Sequence, residues 1–348
     1  MKTAIVILNY NGEKHLKRFL PSVVKYCPEE AEVIVADNAS TDRSLKFLRT
    51  HYPEMKVIEM DENSGFAGGY NKALQEVESD FYVILNSDVE VTEGWLDILI
   101  REMNANPEIV ACQPKIRAVN RPDYFEHAGA SGGFIDKNGY PFCRGRIFDH
   151  CERDIGQHDD SREVFWATGA CLVIRAAAFH EAGGFDEQLF AHMEEIDLCW
   201  RLKNRGHRIY CFPESVVYHL GGGTLSVQNP RKTYLNFRNN LSVIFRNDYR
   251  KGIIKKIIKR MIFDAGGAFY MLFTSGASHF FAVIRAHLYF YIHLGRLRKE
   301  RNALRSQAKA INRTGIYRGS IVQDYFKDNK RVFGALASNL FVRQNRNA

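Results

Sequence analysis

No C-x-x-C pair occurs in the 348 residues, although cysteine stands at positions 27, 112, 143, 151, 171, 199 and 211. An odd number of thiols without paired spacing argues against a disulfide framework, and reduced cysteines are expected. His150 beside Cys151 is an isolated pair, read as surface. A leader is not expected either. MKTAIVILNY has one Lys and a short apolar run that meets Asn9, Asn11 and Gly12 without a small-residue cleavage site, so a signal peptide is not expected. There is no G-x-x-x-x-G-K-[ST], which sets a P-loop aside. Acid is scarce at one end of the chain. From residue 246 onward 21 Lys/Arg face five Asp/Glu, whereas the first 245 residues hold 27 against 35. The overall charge of +8 therefore conceals an acidic body and a strongly basic C-terminal part. Such basic parts bind anionic membrane or nucleic acid.

What is present is an ordinary folded composition, 45% apolar and 25% charged, in a chain long enough for one large domain or a domain plus an appendage. TAIVILN (3–9), EVIVAD (32–37), Lys56–Glu59 and Phe81–Leu85 read as buried strands. They alternate with helical stretches at Glu13–Tyr26, from Ala39 to Asp42 onward, and at Gly68–Val77. This rhythm predicts βαβ units, a mostly parallel sheet, and ligands beyond the carboxyl ends of its strands. Four strand ends turn polar or Gly-rich in succession, including Asn9-Tyr10-Asn11-Gly12, Asp37-Asn38, Asn63-Ser64-Gly65 and Asn86-Ser87-Asp88. Together they outline the rim of a polar pocket. Residues 113–165 lose periodicity and read as an irregular excursion at the side of that pocket. Regular structure resumes with the strand candidate VFWATGACLVIR, a short helix in AAAFHEAGGFDE, a helix at Leu198–Asn204 and a strand at Arg208–Phe212.

Several side chains could carry chemistry. Asp37 ends a strand and could accept from a base or a ribose; as an N-cap it would need no ligand. The glycines of Asn63–Gly69 could let a diphosphate approach the backbone. Asp88 could hold a divalent cation together with phosphate oxygens, or be a plain turn acid. In His192–Arg201 the acids suit a helix N-terminus, and one that faced the pocket could deprotonate a hydroxyl. His219, beside three glycines in VVYHLGGGT, is a possible metal ligand.

In this order VILNYNG, VADNASTD, ENSGFAGGYN, LNSDVEV, ATGACLVIR, GGFDEQLFAHMEEIDLCWR and VYHLGGGT resemble family 2 glycosyltransferases of the GT-A fold, in the manner of the bacterial rhamnosyltransferase-like branch. The resemblance runs from about residue 3 to about 240. It implies an α/β GT-A domain (Rossmann-like, with a mostly parallel sheet flanked by helices) over residues 1–245. It also implies a nucleoside-diphosphate-sugar donor (UDP- or dTDP-linked), Mg2+ or Mn2+, and inversion at the anomeric carbon. By position Asn9 and Asp37 would contact the nucleoside, and Asn63 and Gly69 would line the nucleotide loop. The rim residues Asn11, Gly65, Asn86 and Ser87 would complete the donor side. Asp88 takes the last acid of the D-x-D pattern as metal ligand, with Asn86 at the first position. His219 lies near the diphosphate and the metal. Glu195 takes the place of the catalytic base, with Glu194 in reserve. The acceptor would be a glycan or lipid-linked hydroxyl in bacterial cell-surface polysaccharide synthesis.

Residues 246–348 read as a basic amphipathic helical region. GIIKKIIKR places Ile253, Ile254, Ile257 and Ile258 on one side. Ala265–Ile284 lacks charge but is mixed in polarity, so surface helices are expected ahead of a packed subdomain or a membrane span. The implied location is cytoplasmic, peripheral on the inner face of the plasma membrane. Nucleic acid is not expected, since the basic residues alternate with aliphatics. Two other readings stay open: a non-catalytic nucleotide-sugar-binding scaffold and a nucleotidyltransferase.

Overall fold

The computed structural model describes residues 1–221 and 229–343. Its first part alternates as expected: β1 (Thr3–Asn9), α1 (Glu13–Lys25), β2 (Ala31–Asp37), α2 (Ser44–His51), β3 (Lys56–Glu59), α3 (Gly65–Gln75) and β4 (Phe81–Asn86). β1 pairs in parallel with β2 and β4, and β2 with β3. Both faces of β1 are buried because helices cover both. Ile5 and Ile7 pack in one core with Leu16 and Leu20 of α1, while Ala4 and Val6 pack in the other with Tyr70 and Ala73 of α3. Continuous apolar strands are the consequence.

The chain continues through β5 (Val89–Val91), α4 (Asp97–Ala105), β6 (Ile109–Ala118), β7 (Arg121–Phe125), β8 (Gly133–Asp136), β9 (Pro141–Cys143), β10 (Arg146–Ile147) and β11 (His150–Cys151). It then forms β12 (Arg162–Glu163), β13 (Cys171–Arg175), α5 (Ala176–Glu181), α6 (Glu194–Asn204) and β14 (Arg208–His219). The main sheet runs β12-β14-β6-β13-β4-β1-β2-β3, with β5 on β14 and β7 on β6. It is parallel through β4-β1-β2-β3 and again at β14-β6. β13 runs antiparallel to both β4 and β6.

The structure redraws three local expectations. The stretch 113–165 is not simply irregular, since β8 to β11 build a second, small sheet. The last strand continues past Phe212 to His219, through an irregularity between Phe212 and Val216. Helix α2 starts at Ser44, where the Asp42 carboxylate accepts from the Ser44 N–H at 2.9 Å.

Beyond residue 229 come α7 (Pro230–Asn247), α8 (Ile253–Thr274), α9 (Ala277–Ile292), α10 (Leu294–Ser306), β15 (Ile316–Tyr317) and α11 (Ile321–Phe326). The uncharged run is broken at Ser275–Gly276 into two helices, and no helix among the described residues is long and apolar enough to cross a membrane. The expected single apolar side of 252–260 is also divided. Ile257 is buried, but Ile254 and Ile258 are more than half exposed. The inward face is shared with an internal ion pair, Arg260 to Asp264 at 2.7 Å. After Ser306 the basic region ceases to be mainly helical and returns to the body. β15 pairs in parallel with β8, and Tyr317, Phe333 and Phe341 join Phe134 and Phe142 in one aromatic cluster.

Candidate active site

The polar strand ends converge through their own hydrogen bonds. At the tips of β1 and β2, the Asn9 amide donates to Asp37 (2.9 Å) and to the Ser40 hydroxyl (3.1 Å), and Asp37 accepts from the Ser40 N–H (2.8 Å). Asn9 Oδ1 is buried without a partner among the described residues and points at Gly12, where a Cβ would lie 2.3 Å away. Only glycine lets the α1 end approach this closely. Asn11 holds the loop after β2 by accepting from the Thr41 N–H at 2.7 Å and the Asp42 N–H at 3.2 Å. Asn63 accepts from the Asn38 amide (3.0 Å) and from the Gly65 N–H (2.9 Å).

The Gly-rich stretch differs from its sequence reading. α3 begins at Gly65, not Gly68, because the Phe66 N–H finds the Phe190 carbonyl at 2.9 Å. Gly69 therefore lies inside a helix. A Cβ there would come within 2.8 Å of Leu8 and 3.1 Å of the Asn38 amide. Its smallness serves helix–strand contact, and a ligand-lining role for Gly69 finds no geometric support. Gly65, with φ +72°, sits against the Phe190 ring.

At the end of β4, Asp88 is buried beside His219, the last residue of β14, with Oδ1 3.1 Å from Nε2. The Asn86 amide nitrogen is 3.3 Å from that same Nε2. Ser87 is half-buried and borders Gly12. On the other side of the imidazole, Nδ1 is 3.0 Å from Glu126. Burial alone would lower the pKa of His219, but hydrogen bonds and charge from Asp88 and Glu126 push it up to about 10. Asp88 is held below the usual carboxylate range: burial works against this, but the His219 hydrogen bond and charge prevail. Glu126 escaped the sequence reading because it lies 93 residues from His219 within the aperiodic stretch, and the pairing of β6 with both β7 and β14 brings the two together. Gly222, Gly223 and Thr224 of the VYHLGGGT motif lie outside the described residues.

Among the described residues no three His, Cys, Asp or Glu side chains form a ready-made cation cage. The donor set nevertheless fits a hard divalent ion completed by phosphate oxygens, provided that the cation takes the place of the His219 Nε2 proton; it then offers one carboxylate and one imidazole whose far nitrogen is held by a second carboxylate.

The acids of α6 have different surroundings. Asp197 is committed to structure: it accepts from Arg201 (2.7 Å), Arg246 (2.9 Å) and Asn247 (2.7 Å). Glu194 is buried, and Oε2 has no partner among the described residues. Burial, and then the neighbouring Glu195 charge, raise its pKa well above the carboxylate range. Glu195 is half-buried, and desolvation pushes its pKa up to about 7. A carboxylate poised near neutrality is suited to general-base work, and a neutral one is not. Glu195 is thus the more open and the more readily ionised of the two.

The approach to α6 is strained. Phe190, His192 and Met193 all have positive φ, at 62°, 70° and 74°, which is costly for side chains of their size. The loop is held from α7. The buried Asn239 amide nitrogen reaches the carbonyls of Leu189 (2.9 Å), Ala191 (2.9 Å) and His192 (2.7 Å). Its two hydrogens are shared over three acceptors. No pattern in the sequence announced this clamp.

One short segment joins both halves of the site. The Ala170 carbonyl accepts from the Asn86 N–H at 3.0 Å, at the start of the Asp88 turn. Its neighbour Gly169 abuts the other half, where a Cβ would lie 3.1 Å from Phe66 and 3.9 Å from the Glu195 Cβ. The turn carrying Asp88 and the helix carrying Glu195 therefore both adjoin the segment 169–170.

Residues 4–183 match the family model described as Glycosyl transferase family 2. An N-acetylglucosaminyl-diphospho-decaprenol L-rhamnosyltransferase of Mycobacterium tuberculosis is 28% identical over 233 residues, which is 62% of this chain and 75% of that protein. Among solved structures, GalNAc-T7 with UDP, GalNAc and Mn2+ superposes with a TM-score of 0.59 at 17% identity, covering 87% of this chain and 54% of that one. The mannosyltransferase PcManGT from Pyrobaculum calidifontis, in complex with GDP-Man and Mn2+, gives 0.53 at 14% identity, covering 88% and 85%. The structural likenesses show the fold, GT-A.

Proposed function

Because the chain belongs to glycosyl transferase family 2 and is a glycosyltransferase, we propose that it moves a sugar, with inversion, from a UDP- or dTDP-linked donor to a hydroxyl of a glycan or lipid-linked acceptor. The observation that carries this reading is the segment 169–170, which adjoins both the Asp88 turn and the helix of Glu195; on this reading the two face each other across one cleft.

Asn9, Asn11, Asp37 and Asn63, joined by Asn38, shape the nucleoside end. Asn86 and Ser87 border the diphosphate. Asp88 and His219 would hold a divalent cation, Mg2+ or Mn2+, which when bound supplies positive charge to the leaving diphosphate. Glu126 fixes the His219 ring so that Nε2 faces Asp88. Glu195 takes the proton from the acceptor hydroxyl as the new glycosidic bond forms and the bond to the diphosphate breaks. A base on the wall opposite the leaving group matches inversion. The manganese in the two structural relatives supports the cation assignment. The diphospho-decaprenol in the relative's name supports a lipid-linked acceptor in cell-surface polysaccharide synthesis, and with it a peripheral place on the inner face of the plasma membrane.

A donor screen that reads nucleoside diphosphate release, with Mg2+ or Mn2+ and after chelation, tests the reading. UDP or dTDP release that needs an acceptor and a cation is expected. Pyrophosphate as the product would make the protein a nucleotidyltransferase.

A further inference from the structure

Eleven of the eighteen large apolar side chains that stand exposed among the described residues lie between Ile254 and Ile292. On α8 they form one stripe, Ile254, Ile258, Ile262, Phe269 and Phe273, at spacings of four, four, seven and four. On α9 a second stripe holds Phe281, Ile284, Leu288 and Tyr291. The helices are antiparallel, as shown by the ring contact of Phe269 with Phe280 and by the Tyr291 hydroxyl 3.2 Å from the Met261 sulfur. Phe280 also touches Phe281, so the two stripes merge across the seam into one face. Its extremes are open: Phe273 is 85% exposed and Ile292 77%.

The charges around this face have one sign. Between residues 249 and 299 the only acid is Asp264, which is buried against Arg260. Lys251, Lys255, Lys259 and Arg285 are all exposed, and Lys255 and Lys259 flank the α8 stripe. An apolar face edged by cations, without an exposed acid and on helices not long and apolar enough to span, is the signature of a helix lying in a lipid interface. A protein partner would leave the consistent edge of lysines unexplained.

We infer that the outer face of the α8–α9 hairpin docks on an anionic lipid bilayer, with the apolar stripes in the headgroup–acyl boundary and the lysines at the phosphates. This rests on the peripheral-membrane reading above and is independent of the sugar chemistry. The hairpin packs on α7, the helix whose Asn239 clamps the loop before Glu195. Docking would therefore set the acceptor side of the cleft beside the membrane.

The test is flotation of the full chain with phosphatidylglycerol–phosphatidylcholine vesicles and with pure phosphatidylcholine vesicles. The wild type is expected to float with the anionic vesicles, less so at high salt. The triple variant Ile262→Ser/Phe269→Ser/Phe273→Ser should lose at least about tenfold in binding. Lys255→Glu/Lys259→Glu, two changes at exposed positions outside the buried core, should lose the preference for anionic lipid. Unchanged flotation of either variant overturns the proposal. So does a wild-type dimer in ultracentrifugation that the triple variant converts to monomer, since the face would then be a self-interface. Calorimetry with UDP or dTDP and Mn2+ is expected to be unaltered in both variants, so failure to dock leaves the glycosyltransferase reading standing.

Discussion

At the carboxyl ends of β1, β2 and β4 the protein buries polar side chains; on the outer face of α8 and α9 it exposes apolar ones. Each inverts the usual distribution, and each carries a free-energy cost. The first inversion is nearly closed by internal hydrogen bonds. Asn9 donates to Asp37, Asn38 to Asn63 and the Gly65 carbonyl, and His219 lies between Asp88 and Glu126, while Asn9 Oδ1 is left over. The second has no internal compensation, since its side chains end in solvent. A polar cluster that satisfies itself can stay preorganised for a small ligand, whereas an unsatisfied apolar face requires something outside the molecule.

Substitutions at the closed cluster should give the largest effects. Asp88→Ala and Glu195→Gln should each lower turnover by about a hundredfold or more. Only Asp88→Ala should also weaken nucleoside diphosphate binding in the presence of Mn2+, read by calorimetry. Equal weakening by both would merge two roles assigned to separate walls. The hairpin offers an adjacent pair. Ile257→Ala, at a buried position, should lose about 2–5 kcal/mol of unfolding free energy. Ile258→Ala, one residue on, should stay within about 0.5 kcal/mol. Comparable losses in denaturant titrations would mean that the exposed stripe is covered in solution. Asn239→Ala should lose about 1–3 kcal/mol by leaving the strained loop carbonyls without their donor, and turnover should fall more than donor affinity. The smallest effect is on pH. Glu195 works as a base only when deprotonated, and its pKa lies at about 7. kcat/KM should therefore fall about tenfold per pH unit below that value and level off above it. Glu195→Gln should abolish the dependence in whatever activity remains.

Much of the closed cluster could be read from the sequence, because parallel strands buried on both faces appear as unbroken apolar runs and their polar ends stand out against them. Asn9, Asp37, Asn63, Asn86 and Asp88 stood out as candidates in this way, and His219 by the glycines that follow it. The partners contributed by distant segments were not visible. Glu126 meets His219 only through sheet pairing, and Asn239 reaches the 189–192 loop from a later helix. Pro213-Glu214-Ser215 interrupts the apolar pattern and hid the second half of β14, where the pairing with β6 slips. In the hairpin, periodicity showed that the helix was two-sided but not which isoleucines faced inward. The buried Arg260–Asp264 pair settles that, and a polar pair of this kind counts as surface in any hydrophobicity pattern.

The late return of the chain to β8 has a practical consequence. Ile316 and Tyr317 zip onto a strand made some 180 residues earlier, and Phe333 and Phe341 roof over Phe134 and Phe142. The basic C-terminal part therefore cannot be trimmed away as a detachable tether. Shortening the gene at the start of that part would strip the lid from an aromatic nest and leave a raw strand border prone to clumping. Point changes on the hairpin, not deletions, are the tool for separating where the enzyme sits from what it does.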